Sequence, residues 1–393
     1  MRFRHPDGSV VHLAYCTNVH AAEDLDGVMS QLREHAEPVR RRLHRDRLGI
    51  GLWLARDAVR RLTADPSAVR ALRAELARRG LEVVTLNGFP YQGFGARRVK
   101  HRVYRPDWTQ PARLEHTTEL ARLLTALLPD DAAEGTVSTL PLAWREGFTP
   151  ELRRTALTAL GSLAVRLDAL EEMTGRSVRV GLEPEPGCTV ETTADALEVL
   201  GGAGAPPAHR IGVCVDTCHL ATQFEEPGSA LDALAAAGVP VVKSQLSAAL
   251  HAELPAAEGV LAALGEFDEP RFLHQTRALT AAGVRGTDDL GEALRANGAL
   301  PGTVPWRSHF HVPLHAPPAP PLTSTLDVLE ASLKRLVGGP APLTRHLEVE
   351  TYTWQALPPA LRPRTRAQLA DGIAAELDVA REMLTALGLK ELP

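Results

Sequence analysis

The sequence predicts a closed (β/α)8 barrel, and three observations carry the prediction. Short β-branched runs ending in polar residues alternate along the chain with longer Ala/Leu/Arg-rich stretches of helical periodicity, the pattern of parallel strands joined by crossover helices. Polar residues gather at the C-terminal ends of nearly all these runs rather than at one point, which favours a ring of strand ends over the crevice of an open sheet. No GxGxxG follows a candidate strand and no GxxxxGK[ST] occurs, so dinucleotide and P-loop folds lack their signal.

Taken in order, candidate strands fall at 12–17, 48–54, 81–86, 136–140, 178–182, 211–215 and 241–246, followed by 309–312 and 347–351. That is one more than a barrel needs. Helical stretches lie between or after them at 66–79, 111–128, 149–173, 193–200, 325–336 and 366–387. Two connections are too long for a plain βα unit: segment 88–110, rich in aromatics and Arg/Lys, and segment 247–308. Both read as insertions into a single barrel domain spanning 1–393. The Pro-rich stretch 312–321 reads as an extended loop.

Composition narrows the function. The 393 residues hold 44% hydrophobic and 23% charged side chains, the balance of a globular protein, and no apolar run reaches the roughly 18 residues that span a bilayer. A net charge of -5 gives no field to attract a phosphodiester backbone, so no nucleic-acid partner and no membrane span are expected. The first residues carry charge and no apolar h-region, and four cysteines without CxxC spacing fit a reduced, cytoplasmic setting.

Four strand ends offer chemistry. In Gly181-Leu182-Glu183-Pro184-Glu185-Pro186 a carboxylate ends an apolar run and proline stops further pairing; the alternative is a pair of solvated loop carboxylates. In Gly212-Val213-Cys214-Val215-Asp216-Thr217-Cys218-His219, Asp216 ends a strand and a tight turn lets His219 converge with it on one cation; the alternative is a helix N-cap with an incidental His. Cys214 and Cys218 read as small buried packing residues. Alternation puts Lys243, Gln245 and Ser247 on one face, as ligand contacts or as a surface edge. Glu348 and Glu350 share a face, and buried carboxylates without a cation are costly, so a metal near Glu350 is the economical reading. His309 and His311 also share a face, as metal or substrate donors or as a structural pair.

The succession Leu182-Glu183, then Gly212 to His219 with its DTCH segment, then Glu350-Thr351, resembles the metal-binding strand ends of the xylose isomerase-like TIM-barrel superfamily, which includes endonuclease IV, hydroxypyruvate isomerase and sugar epimerases. The resemblance implies a divalent metal held by Glu183, Asp216, a His or Gln on strand seven, and Glu350. Gln245, His309 and His311 all stand as candidates for the strand-seven place. Mixed carboxylate, amide and imidazole ligands suit Mn2+, Mg2+ or Zn2+ comparably. Over the whole chain, HLAYCTNVH at 12–20, LNGFPY at 86–91, RVK at 98–100, PDW at 106–108, HFHVP at 309–313 and HLEVETYTW at 346–354 resemble EboE-type metabolite traffic proteins. That likeness implies a specialised-metabolite pathway and other Ebo pathway proteins as partners.

The leading functional expectation is isomerisation or epimerisation of a polyol, sugar, sugar phosphate or cyclitol, with Glu183 and Glu350 as ligands and acid/base groups. His219 would orient the site or donate to substrate, Lys243 would stabilise oxyanion charge, and Asn87, Arg98 and Lys100 would contact substrate. Endonuclease IV-like phosphodiester cleavage is the alternative enzyme class, opposed by the absence of His where strands two and three end, at Trp53-Leu54-Ala55-Arg56 and Leu86-Asn87-Gly88. A metabolite binder without turnover is the third reading.

Overall fold

Eight parallel strands close into a barrel in a computed structural model of the chain, which describes residues 1–295 and 299–393. They are β1 (Val10–Cys16), β2 (Leu48–Trp53), β3 (Leu81–Asn87), β4 (Glu134–Thr139), β5 (Ser177–Leu182), β6 (Ile211–Asp216), β7 (Val241–Leu246) and β8 (His346–Val349). Each pairs with its predecessor, and β8 completes the circle by pairing β7 through Leu347↔Ser244 and β1 through His346↔His12. Buried on both faces, most of these strands read as nearly unbroken apolar runs, as enclosed parallel strands do. At the N-terminal end of β1, the short strand Arg2–Arg4 pairs antiparallel with β1 and with Lys390–Glu391.

The helices outside the barrel begin where local chemistry starts them. Thr149 caps Pro150–Thr174, whose first-turn proline has no N–H to lose and whose end is turned by left-handed Gly175. Thr192 and Asp195 form a reciprocal capping box on Thr193–Leu200. Asp65 caps Pro66–Arg78, and Thr365 caps Arg366–Ala386.

One sequence expectation fails in the fold. Segment 309–312 is not a strand: the His309 N–H donates to Gln275 O, the Phe310 N–H to Ser308 O, and the Val312 N–H to Ala248 O. These bonds run in three directions and Pro313 follows, so no ladder forms. The connection after β7 instead builds a second, antiparallel sheet in the order Gly283–Thr287, Thr276–Thr280, Trp306–Ser308, Leu250–Ala252, Thr323–Ser324. Its last strand lies beyond Ser308, and residues 296–298 of the 247–308 segment lie outside the described residues. The two long connections meet over the barrel mouth, where Arg271 O accepts from the N–H groups of Val99 and Lys100 at 2.7 and 3.0 Å.

An ion pair lies in the barrel interior. Lys243 Nζ lies 3.0 Å from Glu348 Oε2, and both side chains are fully buried. Gly51, on β2, gives the carboxylate its room, since a Cβ there would sit 1.7 Å from Glu348 Oε2. Burial alone would lower the Lys243 ammonium, but Glu348 beside it, together with the nearby Cys214 and Cys16, outweighs this and holds the amine above its ordinary range.

Candidate metal centre

Three carboxylates converge where β5, β6 and β8 end. One oxygen from each of Glu183, Asp216 and Glu350 lies within 4.8 Å of the other two, and all three residues are buried. The backbone fixes two of them: the Glu183 N–H donates to Thr139 O of β4, and the Glu350 N–H to Leu246 O of β7. Asp216 divides its carboxylate between two tasks. Its Oδ1 caps the helix Thr217–Thr222, accepting from the Cys218 and His219 N–H groups at 2.7 and 3.0 Å and from Ser247 Oγ at 2.7 Å, while its Oδ2 has no partner. The helix cap and the site residue are therefore one side chain using different oxygens.

The same strand ends carry buried polar atoms without partners. Glu183 Oε2, Asp216 Oδ2, His311 Nε2 and both amide atoms of Gln245 have no hydrogen-bond partner. Leaving such groups unpaired away from water costs several kcal/mol in sum. Burial, followed by the charges of Glu350 and Asp216, pushes the Glu183 carboxyl well above its ordinary range; burial, Asp216 and Glu348 do the same to Glu350. Against this, Asn18 and Asn87 both donate to Glu350 Oε1, at 2.7 and 2.8 Å, which favours its ionised form. A divalent cation relieves both the missing partners and the mutual repulsion, so the donor set fits a metal.

The imidazoles form one cluster that borders the carboxylates. His311 donates from Nδ1 to Glu350 O at 2.5 Å and turns Nε2 toward Asp216 Oδ2, 3.8 Å away; burial lowers it to about 4, leaving a neutral ring whose lone pair faces the carboxylates. His219 bridges to both sides, with Nε2 3.9 Å from Asp216 Oδ1 and 3.1 Å from Glu185 Oε2, and His309 packs against His219 and His311. Gln245 pairs in register with Asp216 across β6 and β7. His311 and His219 thus reach Asp216, Gln245 stands beside it in backbone register, and His309 is grouped with no carboxylate of the three.

Above the carboxylates lies a cavity. Glu183, Glu185, His219, His309, His311 and Glu350 line its polar side; Phe89, Phe94, Tyr104, Phe272 and Tyr352 are prominent on its aromatic side. Three sequence-predicted residues fall elsewhere or are already engaged. Lys243 does not line the cavity, because it sits further down β7 in its ion pair with Glu348, so it is a barrel-core cation and not an oxyanion donor. Arg98 is exposed to solvent and also lies outside the lining. Lys100 lines the cavity, but its ammonium is bound to Asp289 at 2.5 Å. Asn87 faces the site through its bond to Glu350.

Sequence reasoning passed over Asn18, Tyr104, Gln275 and Tyr352 as site residues. Tyr104 donates to Glu185 Oε1 at 2.8 Å, and Gln275 donates to Tyr104 Oη and to Pro186 O. Tyr104 and Gln275 come from the two long connections, whose positions over the barrel no periodicity reveals. Asn18 and Tyr352 lie just past β1 and β8, where the strand-end argument applied to other strands would have found them.

A family model described as xylose isomerase-like TIM barrel matches residues 48–267, more than half of the chain. No curated protein sequence matches significantly. Similar solved structures include the IolI protein with a bound zinc atom, at 13% identity over 96% of this chain and 97% of that one, TM-score 0.47. Others are a D-tagatose 3-epimerase-like protein, at 12% identity over 96% and 98%, TM-score 0.46, and D-allulose 3-epimerase from Methylomonas sp. in complex with D-allulose, at 16% identity over 67% and 82%, TM-score 0.38. Among the described residues, no helix is long and apolar enough to cross a membrane.

Proposed function

The chain belongs to the xylose isomerase-like TIM-barrel family, and on that premise we propose that it is a metal-dependent isomerase or epimerase of a polyhydroxylated small molecule, a sugar or cyclitol. The observation that carries this reading is the set of buried, partnerless acceptors of Glu183, Asp216 and His311 beside a small-molecule cavity. Glu183, Asp216 and Glu350, with His311 or Gln245, would hold the cation. When bound, Mn2+, Mg2+ or Zn2+ supplies a Lewis acid that polarises a substrate carbonyl and stabilises negative charge developing on its oxygen.

The residues of the chain account for the proton. A carboxylate of Glu183 or Glu350 removes the proton from the carbon beside the carbonyl, leaving an enediolate. In isomerisation the same carboxylate returns the proton to the neighbouring carbon while the hydroxyl proton of the first carbon passes to the former carbonyl oxygen; in epimerisation the opposite carboxylate delivers a proton to the other face of the first carbon. Asn18 and Asn87 orient Glu350, and the aromatic wall excludes water and packs against the carbon face of a ring. With Lys100 held by Asp289 and Arg98 exposed, support for a phosphorylated substrate is weak. The likeness to EboE-type proteins supports a specialised-metabolite pathway with other Ebo proteins as partners, and the free, buried cysteines suit a cytoplasmic setting.

The test is incubation of the metal-loaded protein with candidate sugars and cyclitols in D2O, followed by NMR. Deuterium uptake beside the carbonyl, or product formed without it, is expected, and Glu183→Gln should slow either by at least about 10²-fold. A ligand that protects the protein thermally yet shows neither exchange nor product would replace this reading with that of a metabolite binder.

A further inference from the structure

The C-terminal helix Arg366–Ala386 buries an apolar stripe of Leu369, Ile373, Leu377, Ala380 and Leu384, and one residue on its buried side is out of character. Glu376 is 1% exposed, although a glutamate is almost never fully buried unless something pairs it. Its partners here are three neutral donors. The Leu314 N–H and Thr351 Oγ1 donate to Oε1 at 3.0 and 2.6 Å, and the Trp354 indole N–H donates to Oε2 at 3.1 Å. Gly372, about one turn earlier, makes room for that indole, since a Cβ there would lie 2.5 Å from Trp354 Cη2. A carboxylate accepts on both oxygens, whereas an amide in its place would turn an NH2 toward one of these donors. Burial pushes the carboxyl up to about 7, while the bonds from Thr351, Leu314 and Trp354 pull it back toward the charged form.

These donors belong to the two segments that carry His311 and Glu350. Leu314 follows His311 by three residues, and Thr351 follows Glu350 directly. The segments also touch each other: His311 Nδ1 donates to Glu350 O at 2.5 Å, and Thr353 Oγ1 donates to His311 O. Segment 309–312 has no strand ladder to hold it, whereas β8 is fixed by its pairing with β7 and β1. Its distance from β8 is therefore set by bonds of this kind, and Glu376 spans the gap with a single carboxylate. We infer that Glu376 is a positioning residue: it holds His311 with Nε2 beside Asp216 Oδ2, 3.8 Å away, so that the imidazole joins the carboxylates on one cation. The inference rests on the proposed cation centre and adds the residue that keeps His311 in its donor set. Glu376 does not line the cavity, so it acts through His311 and Glu350. Outer hydrogen bonds that orient a metal ligand typically account for about 10–100-fold in metal affinity.

The test titrates the metal-free full chain with Mn2+ at pH 8, above the range of the Glu376 carboxyl, and reads Kd by electron paramagnetic resonance. Glu376→Gln is expected to raise Kd by about 10–100-fold. It should also weaken the imidazole-nitrogen modulation in the spin echo of bound Mn2+, the same modulation that His311→Ala removes. Leu384→Ala, about two turns further along the helix and fully buried, is the comparison for a merely structural role: it should lower Tm and leave both Kd and the modulation unchanged. Trp354→Phe removes one donor and keeps an aromatic ring, so it should raise Kd by less in the same direction. A parent-like Kd and modulation in Glu376→Gln, or in Trp354→Phe where Glu376→Gln does not fold, overturns the inference and leaves the cation centre standing. An equal loss of Mn2+ affinity in Leu384→Ala does the same, because the effect then follows stability alone, as does a nitrogen modulation unchanged in His311→Ala. A parent chain that binds no Mn2+ overturns the cation centre and this inference with it.

Discussion

Removing the Lys243 ammonium while leaving Glu348 in place should damage the barrel more than removing both. In Lys243→Met the carboxylate loses its partner at 3.0 Å and stays in a fully buried position, and breaking such a pair from one side costs about 3–5 kcal/mol. A 393-residue chain has an unfolding entropy of about 0.8 kcal/mol/K, so the expected fall in Tm is about 4–6 °C. Glu348→Leu, which strands the ammonium instead, should cost a similar amount. The double variant Lys243→Met/Glu348→Leu replaces two desolvated charges by apolar groups and should return to within about 2 kcal/mol of the parent. The assay is thermal and urea unfolding of all four proteins at equal metal occupancy, read as a double-mutant cycle. Additive losses in the double variant, or a Lys243→Met protein as stable as the parent, would refute the placement of Lys243 in a core ion pair.

Gly51→Ala should lower Tm by a similar amount, because its Cβ would displace the Glu348 carboxylate, and it should add little to Lys243→Met since both break the same pair; differential scanning calorimetry reads this. Asp216→Ala should abolish the stabilisation that Mn2+ gives the parent, about 2.7 kcal/mol at a metal concentration 100-fold above Kd, with equal metal responses in the two proteins counting against the site. Burial lowers the imidazoles of His12 and His346 to about 3 in the folded chain, from 6.5. The unfolded chain therefore binds more protons below pH 6.5, and stability should fall as pH drops from 6.5 toward 3, by about 1.4 kcal/mol per pH unit for each ring. His346→Gln should reduce that slope in acid titrations followed by circular dichroism.

The strands were legible because enclosed parallel strands leave apolar runs with a polar residue just past the end, and the eight found lie within two residues of where those runs fall. The ninth, 309–312, imitated a strand through its alternation of His with apolar residues. That alternation reflects two imidazoles pointing into a mouth from an irregular segment, not a pleat. The helix Arg56–Ala64 was missed because its N-cap, Ala55, offers no capping side chain. Glu183, Asp216 and Glu350 were visible as strand-end carboxylates. Lys243 was correctly placed facing inward, but alternation gives the face and not the depth, and two residues along β7 separate the barrel core from its mouth. Tyr104 and Gln275 were illegible because only the folded connections bring them over the barrel.

The antiparallel sheet between β7 and β8 has a consequence for how this molecule can change. The barrel by itself owns the carboxylate cluster, whereas Gln275, His309, His311 and the Phe272 wall arrive from the appended segment. Chemistry that needs only the carboxylates is thus separable from the shape of the chamber and from the imidazole cluster beside it. A relative could exchange that one segment, keep its proton-moving residues in register, and acquire a different ligand pocket without rebuilding a single barrel strand.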